Sequence, residues 1–156
     1  MPGLPTLSES PQLQVVRHRR AGLRRTMTEV EEAAAAALAG RPDEWRANLT
    51  PHLESLQMAW ASHVRGTEGP DGLWEQIRTD APRLQGKLRR LGSAHEALGA
   101  EIATLRQTLT DACDDESRLS NVRERVTALL LQLTRHRQHG ADLIYEAYDR
   151  DVGGNG

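Results

Sequence analysis

Residues 119–143 read LSNVRERVTALLLQLTRHRQHGADL. Their apolar residues, Leu119, Val122, Val126, Leu129, Leu133 and Leu143, recur at intervals that alternate between three and four, the period of one buried helix face. His136 and Gly140 occupy the same stripe, where a leucine is expected. A histidine on such a face places two ring nitrogens in a dry interior and needs a hydrogen-bond partner or a metal there. One such residue is ordinarily a satisfied core histidine. The informative question is whether other helices repeat the pattern at the same level.

They do. Working back along the chain, residues 84–109 carry the stripe Leu84, Leu88, Leu91, His95, Leu98, Ile102, Leu105 and Leu109. An earlier segment carries Leu49, Leu53, Leu56, Trp60, His63 and Thr67. A first helix, expected over residues 12–39, has Val16, Leu23, Met27, Val30, Ala34 and Ala37 as its stripe. Gly40, Arg41 and Pro42 stop it. The second helix begins either at Pro42–Asp43, with a kink at Pro51, or afresh with Thr50 as N-cap and Pro51 at the first helical position. A glycine-rich break at residues 66–72 precedes a short helical piece, Leu73 to Ile77. Asp80 and Pro82 open the third long helix, and Asp111–Ser117 forms the last turn before a helix running to about Tyr148. No stretch alternates as a strand does. Long helices with short connections predict an all-α, up-down-up-down four-helix bundle over residues 12–149. A loose arm, 1–11, precedes it and a glycine-rich tail, 150–156, follows.

Composition narrows the function. The chain has 156 residues and a formal net charge of −2, so no overall basic field argues for nucleic acid. Lys87 is the sole lysine, and Arg17, Arg19, Arg20, Arg24 and Arg25 read as a solvated face. Cys113 is the sole cysteine, which excludes a disulfide framework and a CxxC metal site. No apolar run approaches the roughly 20 residues of a membrane span. The N-terminal residues have no apolar signal core, so a cytosolic location is expected.

The chemistry lies in the interruptions. His63, His95 and His136 each sit on an apolar seam of a different helix, and His18 lies at the edge of the first stripe. An unpartnered buried imidazole costs roughly 1–3 kcal/mol, and a shared cation satisfies several at once. A cation also asks for carboxylates. Glu68 follows His63 by five residues and Asp142 follows His136 by six, both late for the i+4 spacing of a regular helix.

The matching stretches are HRRAGLRR from His18, HVRGTEGPDGL from His63, AHEAL around His95 and RHRQHGADLIYEAY around His136. In this order they resemble the hemerythrin-like family, over roughly residues 15–149. The resemblance implies a four-helix bundle holding two non-haem iron ions, manganese being an alternative, with His18, His63, Glu68, His95, His136 and Asp142 as metal ligands. It implies dioxygen, peroxide or nitric oxide as partners, and a possible small-molecule substrate. Glu68 and Asp142 depart from the family spacing, and a π-bulge at Gly66 and at Gly140 is expected to bring each carboxylate back to the site. Family members often carry a further histidine where this chain has Gly99, a place expected to leave an opening beside one iron. His52, His139 and Glu146 are further candidates. Two functions follow from the resemblance: an enzyme that activates or consumes dioxygen or peroxide, or a reversible oxygen or nitric oxide binder or sensor. A metal-free helical interaction module is the third.

Overall fold

The computed structural model describes residues 11–149. The arm and tail expected at the two ends therefore lie outside the described residues, apart from Pro11, which opens the first helix. Regular structure is helical, and no strand occurs among the described residues. In chain order the helices are α1 (Pro11–Ala35), α2 (Pro42–Glu68), the short α3 (Leu73–Asp80), α4 (Gln85–Ala112) and α5 (Glu116–Ile144). A 3₁₀ turn, Pro82–Leu84, leads into α4, and a π turn, Tyr145–Asp149, follows α5. The four long helices close around one core: α1 packs on α2, α2 on α4, α4 on α5, and α5 back on α1.

Local chemistry explains the boundaries. Gly40 has φ +74°, the left-handed region glycine favours. The α-helix ends at Ala35, earlier than the expected Ala39, for a tertiary reason. The Trp45 indole N–H donates to the Ala34 carbonyl at 3.2 Å, and Leu38 is buried in place of the exposed Ala37. α2 starts with Pro42 at its first turn, where the missing N–H is harmless, followed by Asp43 and Glu44, which favour the positive end of the helix dipole. It runs through Pro51 without restarting. The Thr50 hydroxyl bonds back to the Arg46 carbonyl at 2.7 Å instead of capping a new helix. Fully buried Leu49, Leu53 and Leu56 hold the segment continuous. α5 is capped by Asp115, whose carboxylate accepts from the Arg118 N–H at 3.1 Å.

The seams deduced from periodicity are the buried faces of α2, α4 and α5; on α1, Leu23, Met27, Val30 and Ala34 are buried, Ala37 is exposed, and the Val16 side chain lies outside what the structure describes. On α4 every member from Leu88 to Leu109 is buried, as is Leu84 just before it. On α5 all are buried except Gly140, which is half-buried. The buried residues form two apolar clusters. The larger spans Leu23 to Leu133 and draws on α1, α2, α4 and α5. The smaller gathers Leu73, Trp74 and Ile77 of α3 with Leu84, Leu88, Leu91, Leu143 and Ala147. On α4, His95 falls between Leu91 of the small cluster and Leu98 of the large one; on α5, His136 falls between Leu143 and Leu133. The histidines form the polar layer between the two clusters.

Candidate metal centre

His63, His95 and His136 converge from α2, α4 and α5. One ligand nitrogen from each lies within 4.8 Å of the others. Ring centroids stand 5.1 Å apart for His63–His95, 5.7 Å for His63–His136 and 4.7 Å for His95–His136. All three residues are buried. His63 Nε2, His136 Nδ1 and both ring nitrogens of His95 have no hydrogen-bond partner. Native interiors rarely leave buried polar atoms so.

Two tryptophans enclose the layer. On the side of the larger cluster, the Trp60 ring lies 5.1 to 5.4 Å from all three imidazoles and stacks on His63. Its indole N–H donates to the His95 carbonyl at 3.2 Å, which fixes the ring. On the other side Trp74 of α3 stacks on His95 at 4.7 Å, with 9° between the planes. Trp60 was legible in the sequence, one helical turn before His63. Trp74 was not, because nothing in the short α3 sequence says which face of which helix it covers. The histidines, Leu73, Leu91 and Leu143 border a cavity of about 20 Å³, room for one water-sized atom.

Burial keeps the imidazoles neutral. It pushes His63 and His136 down to about 3 and His95 down to about 4. The mutual proximity of the rings, together with nearby Arg20, adds to the fall at His63 and His136. Each ring therefore offers a lone pair at neutral pH, the form that ligates a metal.

Glu68, the last residue of α2, supplies the nearby carboxylate. Its Oε2 lies 3.3 Å from His95 Nδ1, within ion-pair range but off the line of a hydrogen bond. It approaches across Gly92, where a Cβ would stand 3.1 Å from Glu68 Oε1. Burial, and after it the neighbouring Glu96, raises the Glu68 carboxyl, while Arg78 opposes. α2 remains a regular α-helix through Glu68. Five residues then separate Glu68 from His63 by about 140° around the axis, so the carboxylate meets α4 and His95.

Other expected residues fall elsewhere. No π-bulge occurs at Gly66 or Gly140; the π turn lies beyond both, at Tyr145–Asp149. Asp142 is exposed and accepts from Gln138 Nε2 at 3.0 Å, one helical turn away. Without a bulge its six-residue offset turns it away from His136. His18 is exposed. It lies about 140° off the face marked by Leu23, and Arg19 and Arg20 take the inward positions. Arg19 donates to the Ser62 carbonyl at 3.3 Å and Arg20 to the Arg137 carbonyl at 2.6 Å. Gly66 and Gly140 make room for these two guanidinium groups, since a Cβ at either would meet Arg19 or Arg20. Gly99 leaves no opening beside the histidines: a Cβ there would meet Trp60 Nε1 at 3.3 Å, so the indole fills the space. His52 pairs with Glu29 at 3.8 Å, His139 is exposed and Glu146 pairs with Lys87.

No helix among the described residues is long and apolar enough to cross a membrane. Comparison with protein-family models, curated proteins and solved structures gives no match.

Proposed function

We propose that the chain is an up-down-up-down bundle, hemerythrin-like in the layout of its histidines, that holds one transition-metal ion between α2, α4 and α5. The observation that carries this reading is the meeting of three buried imidazoles whose nitrogens lack partners around a cavity of about 20 Å³. Neutral imidazole suits iron, zinc, copper or nickel; manganese favours more oxygen ligands than are gathered here. The donor set fits one ion. It does not fit the two irons implied by the family resemblance, which need bridging carboxylates and further nitrogens, whereas His18 and Asp142 are exposed. Cys113, exposed and unpaired, suits a reducing, cytosolic setting.

A bound ion supplies Lewis acidity and, if it is iron, one-electron exchange with dioxygen, peroxide or nitric oxide. The protein's part is to exclude and to position. Trp60, Trp74, Leu91 and Leu143 keep bulk water from the imidazoles, and the cavity of about 20 Å³ has no room for an organic substrate. Binding or reduction of a water-sized ligand therefore fits better than oxidation of a larger molecule. Glu68, with its raised carboxyl beside His95, is placed to take up or release a proton at the rim.

The test is metal stoichiometry. Chelator-treated protein is loaded separately with ferrous, zinc and manganous ions, desalted and analysed for metal. About one equivalent of iron or zinc per chain is expected, lost in His95→Leu while the helical circular dichroism persists. Iron-loaded, reduced protein should then change its absorption on exposure to nitric oxide or dioxygen. Two equivalents would restore the di-iron reading. Wild-type protein that retains no metal would leave a metal-free helical interaction module.

A further inference from the structure

A groove of about 770 Å³ runs between α1 and α5, within the size range of small-molecule sites. Arg17, Arg20, Arg24 and Arg25 line it from α1, and Arg137 lines it from α5. Five guanidinium groups in one groove contrast with the chain's net charge of −2. Arg20, Arg24, Arg25 and Arg137 form no ion pair with a carboxylate among the described residues. Arg137 Nε is buried without a hydrogen-bond partner. Arg20 is half-buried and held in place by its bond to the Arg137 carbonyl.

We propose that this groove binds a small molecule carrying linked phosphates, with the phosphates held by Arg20, Arg24, Arg25 and Arg137. Guanidinium groups present planar forks of donors that match phosphate oxygens two at a time. Arg20 and Arg24 follow one face of α1 at i and i+4, about 6 Å apart along the axis, and Arg137 lines the groove from α5. That spacing exceeds the span of a single tetrahedral anion, so a diphosphate engages more of these groups than orthophosphate does. The site is bounded. Glu29 and Glu32 line the same groove further along α1, with exposed Glu31 beside them. A nucleic-acid strand or an anionic bilayer would lie across these carboxylates, whereas a short phosphate chain stops before them. The neutral groups do not compete for the role: the Thr28 and Thr134 hydroxyls are bonded to carbonyls of their own helices, and Gln138 donates to Asp142.

The proposal needs no metal, although Arg20 and Arg137 also border the histidine cavity, so binding is measured on metal-free protein. Full-length protein, dialysed against a chelator, is titrated calorimetrically at low salt with sodium pyrophosphate and, separately, with sodium phosphate. Saturable binding of one pyrophosphate is expected, tighter than orthophosphate and weakened by added salt. Arg24→Gln and Arg25→Gln, both at exposed positions, should each weaken it about tenfold, the effect of one lost charge-assisted contact. Arg125→Gln, outside the groove and paired with Glu101, should leave it unchanged. Parallel arms use phosphatidylserine–phosphatidylcholine vesicles and a single-stranded oligonucleotide. Absent pyrophosphate binding would overturn the proposal. So would equal weakening by Arg125→Gln, or binding confined to the vesicles or the oligonucleotide.

Discussion

Lowering the pH from 7.5 to 5.5 should destabilise the metal-free protein by about 4 kcal/mol, and the histidine layer supplies the number. Burial holds His63 and His136 at about 3 and His95 at about 4 in the folded state, against 6.5 for an unperturbed histidine. The folded chain therefore binds fewer protons than the unfolded chain throughout the interval between these values. A depressed pKa gives stability that is present above 6.5 and is lost as pH falls toward the folded values. At pH 5.5 each unfolded-state histidine is about ten-elevenths protonated and each buried one still neutral, so each contributes a loss of about 1.4 kcal/mol. Three give about 4 kcal/mol, a large share of the 5–15 kcal/mol typical of a domain. Glu68, whose carboxyl is raised, works in the opposite direction, and a Glu68→Gln variant isolates its share. The assay is urea unfolding followed by circular dichroism, with chelator present, at both pH values. His95→Leu should remove about one third of the pH dependence and His63→Leu/His95→Leu/His136→Leu nearly all of it. A pH dependence that survives in the triple variant would refute the argument, because the slope would then arise outside the layer.

His95→Leu should make the metal-free protein more stable by about 1–2 kcal/mol at pH 7, since it removes two unpartnered buried nitrogens, while metal affinity drops at least a hundredfold; thermal melts with and without metal separate the two effects. Gly92→Ala should raise helix stability by roughly 0.5–1 kcal/mol yet weaken metal binding, because the new Cβ displaces the Glu68 carboxylate and not the backbone; unchanged affinity would show that Glu68 plays no part. Trp60→Phe should cost about 1 kcal/mol or more through loss of the bond to the His95 carbonyl, measured by denaturant midpoint. Asp115→Ala should cost about 1 kcal/mol with no effect on metal binding, as loss of a helix cap far from the site does.

Periodicity settled the azimuth of each side chain on its helix. The stripes of α2, α4 and α5 could be read with their histidines in place because a helix repeats every 3.6 residues whatever it packs against. The same arithmetic, applied to the carboxylates of regular helices, turns Asp142 away from His136 and carries Glu68 off the face of His63 toward α4. What periodicity leaves open is height and reach. Only packing could set His63, His95 and His136 at one level, since that depends on how far each helix slides along its neighbours. Only packing could give Glu68 to His95, across a gap that Gly92 leaves on another helix. The arginines of α1 read as a solvated face because charge in a sequence shows no burial. In the fold Arg20 is wedged between α1 and α5, in the space left by Gly140. Likewise Gly99 reads as a gap in the chain and becomes a seat for the Trp60 indole once α2 lies against α4. Sequence determined which faces are apolar and which residues interrupt them; the tertiary structure decided which interruptions meet, because contacts between helices are set by shape and distance that a one-dimensional pattern does not carry.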